Sequence, residues 1–198
     1  MYSKTSFTIP IVGLSVGLRV NFNRGLSASF LIVKKPSEKT LGITSYCKDG
    51  KHVLFFDFDN SKLNEILYQL KKLQEYYLLS DIYVFENDTE DSFHAICLDK
   101  FDLYTAVEII KQTTADKAFK YAPLRYALKK WVLRCEKKGN RQKPKYLFKL
   151  NANNSEYEKS NAHRLFLGMN YGIKIGKKGF DDEKEIDCFE YYTASKIK

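Results

Sequence analysis

The chain has 198 residues, of which 44% are hydrophobic and 29% charged, with a formal net charge of +9, the balance of a folded domain rather than a disordered chain. No run approaches the roughly 20 apolar residues of a membrane span and no leader-like apolar core follows the N-terminus, so a soluble, cytoplasmic protein with no membrane partner is expected. Cys47, Cys97, Cys135 and Cys188 lack C-x-x-C spacing, which argues against a structural zinc site or a disulfide framework.

Residues 1–50 read as a β-rich module, with strand patterns in SFTIPIV, GLRVNF and SASFLIV. Asp49-Gly50 predicts a hairpin turn between LGITSYC and HVLFFDFDN. In the second of these, Val53 to Phe56 read as a strand buried on both sides. Strand residues two apart share a face, so Asp57 and Asp59 point one way and Phe56 and Phe58 the other. Two carboxylates that close repel each other unless a cation lies between them, and a divalent metal ion is the usual answer.

The period then changes. Leu63, Ile66, Leu67, Leu70, Leu73 and Tyr77 are spaced as one face of a helix, with Asn60 or Ser61 as its cap. DIYVFEN and SFHAICL read as a strand hairpin around the turn DTED. A second helix follows, with Leu103, Ala106, Val107 and Ile110 inward, and WVLRC reads as a further strand entering a basic turn; Cys97 and Cys135 are expected inside strands as small apolar residues. Strand, helix, strand, strand, helix, strand from 52 to about 135 predicts an α+β fold: an RRM-like split β-α-β core sheet with two helices on one face and the other face open, plus the N-terminal β-rich module. The expected division is one main domain over 1–150, made of parts 1–50 and 51–150, with 151–198 as either a small subdomain or a tail.

Ser92 and His94 are two apart on the third strand and share a face. With Asp57 and Asp59 on a neighbouring strand, they make a plausible site for a metal-bound nucleoside triphosphate, whose oxygen ligands suit Mg²⁺ or Mn²⁺. From Lys117 to Lys149 there are twelve Lys and Arg against the single acid Glu136, interleaved with aromatics as a surface tracking polyphosphate would be. Arg125, Lys129, Lys130, Trp131, Arg141 and Lys143 are the expected nucleic-acid contacts. His52 and His163 read as structural or surface residues, and neither a P-loop nor a dinucleotide fingerprint occurs.

VLFFDFDN, SFHAICLD and a later aspartate before an arginine-bearing strand resemble the three motifs of the archaeo-eukaryotic primase superfamily, across about residues 50–145. The resemblance implies that Asp57, Asp59 and a third acid hold two Mg²⁺ or Mn²⁺ ions, and that Ser92 and His94 contact the phosphates of the incoming nucleotide. Asp116 is the chosen third acid; Asp99 is the alternative, and otherwise a cap of the second helix. Arg134 and Lys138 match the arginine-and-lysine segment after the third motif and are expected at the triphosphate or template. The implied activity is that of a template-directed nucleotidyltransferase, a primase or primase-polymerase acting on single-stranded nucleic acid, with a helicase or other replication protein as partner. The alternative is a non-catalytic nucleic-acid-binding module stacking bases on its open sheet, or an inactive primase-like accessory protein. A rolling-circle endonuclease would need a His-hydrophobe-His motif that histidines 52, 94 and 163 do not form.

Overall fold

A computed structural model of the chain describes residues 4–11, 14–21, 27–34, 39–125, 129–152, 155–182 and 188–192, with side chains for 41–124, 129–152 and 155–182. The chain forms two compact units, 1–40 with 190–198 and 41–189. The first holds the three expected strands, β1 (Lys4–Ile11), β2 (Leu14–Asn21) and β3 (Ser27–Lys34), in an antiparallel meander. Lys4 pairs with Asn21 at one end of β1 and Ile11 with Leu14 at the other. The second unit begins before residue 50 and includes most of the segment read as an appendage.

Mixed α and β elements make up that second unit, an α+β fold. Its strands are β4 (Lys39–Thr44), β5 (His52–Phe58), β6 (Ile82–Glu86), β7 (Phe93–Phe101), β8 (Val132–Arg134) and β9 (Lys145–Leu150). Its helices are α1 (Leu63–Tyr76), α2 (Leu103–Lys111), the short α3 (Lys117–Lys120) and α4 (Ala122–Arg125), and α5 (Asn161–Tyr171). A last strand, β10, spans Cys188–Tyr192. The central sheet runs β5-β7-β6-β9, every neighbouring pair antiparallel. β5 and β6 therefore run parallel with β7 between them, and α1 makes the crossover.

The sheet departs from the RRM-like arrangement at its fourth strand. β8 does not join it but pairs antiparallel with β4, Gly42 facing Arg134 and Thr44 facing Val132. β9 adds instead to the free edge of β6. The expected hairpin around Asp49-Gly50 forms, with Gly50 at φ 85°, a conformation that glycine adopts without a Cβ clash. Its first arm meets β5 only at its end, where Tyr46 bridges His52 and the Val53 N–H donates to the Ser45 carbonyl at 2.9 Å.

Nor is the second face open. Leu54, Phe56 and Phe58 lie opposite Cys97, Ala95 and Phe93, in one core with Ile66 and Leu70 of α1 and Ala106 and Ile110 of α2. On the other face Phe55 meets the ring of His163 at 6.0 Å and Phe85 meets Tyr171 at 4.7 Å, both partners on α5. A strand that is apolar at every position needs cover on both sides, and the C-terminal segment supplies it. Lys100 ties that segment down: its Nζ lies 2.7 Å from Asp49 and 2.6 Å from Asp181. Burial opposes the charge of Lys100, but its bonds to Asp181 and Asp49 outweigh this and hold its pKa well above the ordinary lysine value.

The helix caps also differ from expectation. Lys62, not Asn60 or Ser61, precedes α1 and offers no side-chain cap. Asp102 caps α2, accepting from the N–H groups of Tyr104 and Thr105. Asp99 is not a cap, because β7 continues through it to Phe101. Among the described residues no helix is long and apolar enough to cross a membrane.

Candidate functional site

Antiparallel pairing of β5 with β7 sets Asp57 directly opposite His94. The His94 Nε2 lies 3.3 Å from Asp57 Oδ1, with the imidazole buried and the carboxylate 28% exposed. Asp59 follows the end of β5 and Ser92 precedes the start of β7, so the same register continues one step further. There the Ser92 hydroxyl donates to Asp59 Oδ1 at 3.0 Å. Asn60 at φ 53° turns the chain away after Asp59, a left-handed conformation that asparagine tolerates better than most residues. The Ser61 N–H then donates to the Asp91 carbonyl at 2.9 Å, clamping the two strand ends together. All four predicted residues, Asp57, Asp59, Ser92 and His94, thus meet at one end of the sheet.

Asp116 reaches this place by its backbone. The Asp116 N–H donates to the Asp57 carbonyl at 2.7 Å, on the β5 edge that does not face β7. Gln69 of α1 holds the approach, accepting from the Thr114 N–H at 2.7 Å and donating to the Thr114 hydroxyl at 3.0 Å. The Asp116 carboxylate accepts from the Phe119 N–H at 2.8 Å and so caps α3. Asp99 lies elsewhere: five residues along β7 from His94, roughly 17 Å, it is fully buried and accepts from the Ser80 N–H at 2.6 Å. Burial holds its carboxyl above the usual range despite that bond. Beside it the Cys97 thiol is buried and its pKa is pushed well up, first by burial and then by Asp99, the setting of a structural cysteine. Cys47, Cys97 and Cys135 are all buried.

Asp57 and Asp59 suit a divalent cation in chemistry. Asp57 lies beside the His94 imidazole and Asp59 accepts from the Ser92 hydroxyl, and among the described residues neither pairs with a lysine or arginine. The donor set is incomplete for the expected pair of ions, because no three His, Cys, Asp or Glu side chains among the described residues converge on one point. One ion held by the two aspartates, with phosphate oxygens completing its shell, fits the residues present.

Arg134 lies in reach of this cluster through a residue that the sequence reading does not single out. Its Nη2 donates to Asn87 Oδ1 at 3.3 Å, and Asn87 Nδ2 donates to the Ser92 hydroxyl at 3.0 Å. Its Nη1 donates to the carbonyls of Glu136 and Gln142 at 3.0 and 2.6 Å. Lys138 and Arg141 form the tight turn beyond, each accepting the other's N–H at 2.9 Å. Asn87 in FEND looks like a turn former, and no local signal distinguishes that role from a place in a network.

The expected nucleic-acid contacts divide. Lys129 and Arg141 are exposed, Lys130 is half-buried, and the side chain of Arg125 lies outside the described residues. Lys143 is engaged with α5: its Nζ donates to the Asn170 carbonyl and Oδ1 at 2.9 and 2.6 Å and sits over the Tyr171 ring. Trp131 is no stacking platform. It is completely buried, edge-on to His52 at 5.7 Å, with its indole N–H unpartnered, because the apolar run around β8 belongs to the core and not to a basic face. Trp131→Ala is expected to cost about 3–5 kcal/mol by leaving a cavity. Trp131→Phe removes the orphaned N–H and should cost clearly less, which urea unfolding of both variants checks.

Comparison with protein-family models, with curated proteins and with solved structures finds no match to this chain.

Proposed function

We propose that this protein is a metal-dependent nucleotidyltransferase of the primase or primase-polymerase type, joining nucleoside triphosphates on a single-stranded template. The observation that carries the reading is the double pairing Asp57–His94 and Asp59–Ser92 at one sheet end, with Arg134 one side chain away. A Mg²⁺ or Mn²⁺ ion at the aspartates would neutralise triphosphate oxygens and lower the pKa of a 3′-hydroxyl. Asp57 and Asp59 would hold it, His94 and Ser92 would orient those carboxylates and approach the phosphates, and Arg134 with Lys138 would meet the far end of the triphosphate. Lys129, Lys130 and Arg141 would bind the template backbone through charge. A helicase or other replication protein would supply the template.

A second reading, an accessory protein of the same type without catalysis, draws support from the capping role of Asp116 and from the lack of a converged three-ligand cluster among the described residues. A base-stacking module on an open sheet draws none, since both sheet faces are covered and Trp131 is buried. De novo synthesis and primer extension on single-stranded DNA with labelled nucleotides, in Mn²⁺, in Mg²⁺ and in neither, separate the two. Metal-dependent product is expected. Template binding without product in either metal would turn the conclusion to the accessory role.

A further inference from the structure

Asn87 sits between β6 and the turn that leads to Ser92, and its backbone N–H closes the hairpin on the Ser92 carbonyl at 2.9 Å. Its side chain is buried and touches two groups of opposite demand. Arginine has only donors, so the Asn87 oxygen must face Arg134 and its NH₂ must face Ser92. An NH₂ has nothing to accept with, so the Ser92 oxygen receives that bond and its own proton is left for another partner. That partner is Asp59 Oδ1, 3.0 Å away. From Arg134 through Asn87 and Ser92 to Asp59, every donor therefore points in one direction, and the end of the chain is a carboxylate oxygen.

We infer that Asn87 is a positioning residue that aims the Ser92 hydroxyl at Asp59 and sets Arg134 at the same rim, coupling the cation-binding carboxylate to the anion-binding guanidinium. The inference rests on the metal-binding reading above and extends it to a residue without any ligand contact of its own. Hydrogen-bonded neighbours of this kind orient ligating carboxylates, and their loss typically weakens metal binding by about 10–100-fold.

Asn87→Asp tests it, because that variant separates the two halves of the role. Aspartate keeps the acceptor for Arg134, and improves it, but cannot donate to Ser92. The Ser92 hydroxyl then turns toward residue 87 and away from Asp59. If Asn87 only props up Arg134, Asn87→Asp leaves Mn²⁺ affinity unchanged or raises it through the added negative charge. If Asn87 aims Ser92, affinity measured by electron paramagnetic resonance of free Mn²⁺ falls about tenfold or more, while the thermal midpoint stays near that of the wild type. Combining it with Ser92→Ala adds little further loss, since both act through one bond. Retained Mn²⁺ affinity in Asn87→Asp, or losses that simply add, overturns the inference and leaves the nucleotidyltransferase reading intact. A wild-type protein that takes up no Mn²⁺ removes that reading itself, and the inference with it.

Discussion

Asp57→Asn and Asp59→Asn, alone or together, are expected to leave template binding within about twofold of wild type while metal-dependent incorporation drops on the order of a thousandfold or more. The estimate follows from the task assigned to the pair. A metal ion contributes several kcal/mol of charge stabilisation at a transferring phosphoryl group, and each 1.36 kcal/mol of lost stabilisation is about a factor of ten in rate. Asparagine keeps the shape and the contacts to His94 and Ser92 but removes the charge that attracts a cation. The fold should be indifferent to the change, since Asp59 is exposed and Asp57 half-buried at the sheet end. Burst-free incorporation rates with Mn²⁺, beside filter binding of the same template, read both quantities. Undiminished incorporation by the double variant would take the catalytic centre away from these residues.

A second large effect is expected on stability in acid. His52 and His163 are buried and held neutral, and burial is the leading cause that takes each pKa from 6.5 down to about 4. The unfolded chain takes up a proton at each histidine near 6.5, and the folded chain resists until about 4. Their contribution is therefore complete above pH 6.5 and is lost as the pH falls from there toward 4. At 1.36 kcal/mol per unit, each histidine accounts for about 3 kcal/mol once fully charged. Two such losses are a large share of the roughly 5–15 kcal/mol that holds a domain folded. Trp131 is the sole tryptophan and packs against His52, so its fluorescence reports the transition directly. Urea midpoints measured at pH 7.5 and 4.5 should fall steeply; equal midpoints at the two values would sink the expectation.

Period-two alternation gave access to the heart of the site, because β5 and β7 are regular where it matters. Asp57, Asp59, Ser92 and His94 needed only the pleat and one antiparallel pairing to meet. The 3.6-residue spacing in α1 and α2 was equally plain: of the residues it marks, Ile66, Leu70 and Leu73 are buried in one and Ala106, Val107 and Ile110 in the other, with Leu63, Leu67 and Leu103 half-buried and Tyr77 just past the end of α1. What stayed hidden depends on partners distant in the chain. Three residues of β8 carry no sign of whether they join β5 or β4. The open face was incompatible with the unbroken apolar run Val53 to Phe56, which already requires cover on both sides, but nothing local names α5 as the cover. The burial of Trp131 was not legible because Lys129 and Lys130 just before it are exposed and half-buried while the indole lies in the core.

That cover has a consequence for how the chain acquires its structure. His163 donates to the Thr44 carbonyl at 2.7 Å across 119 residues of sequence, and its ring covers Phe55 from the same helix. Contacts so far apart close late, because loop entropy must be lost before they form. During synthesis the face bearing Phe55, Ile96 and Phe85 stays wet until the ribosome has released residues past 171. A nascent chain halted near 150 would carry the whole aspartate, serine and histidine cluster on a half-covered sheet, prone to aggregate before it is able to bind anything.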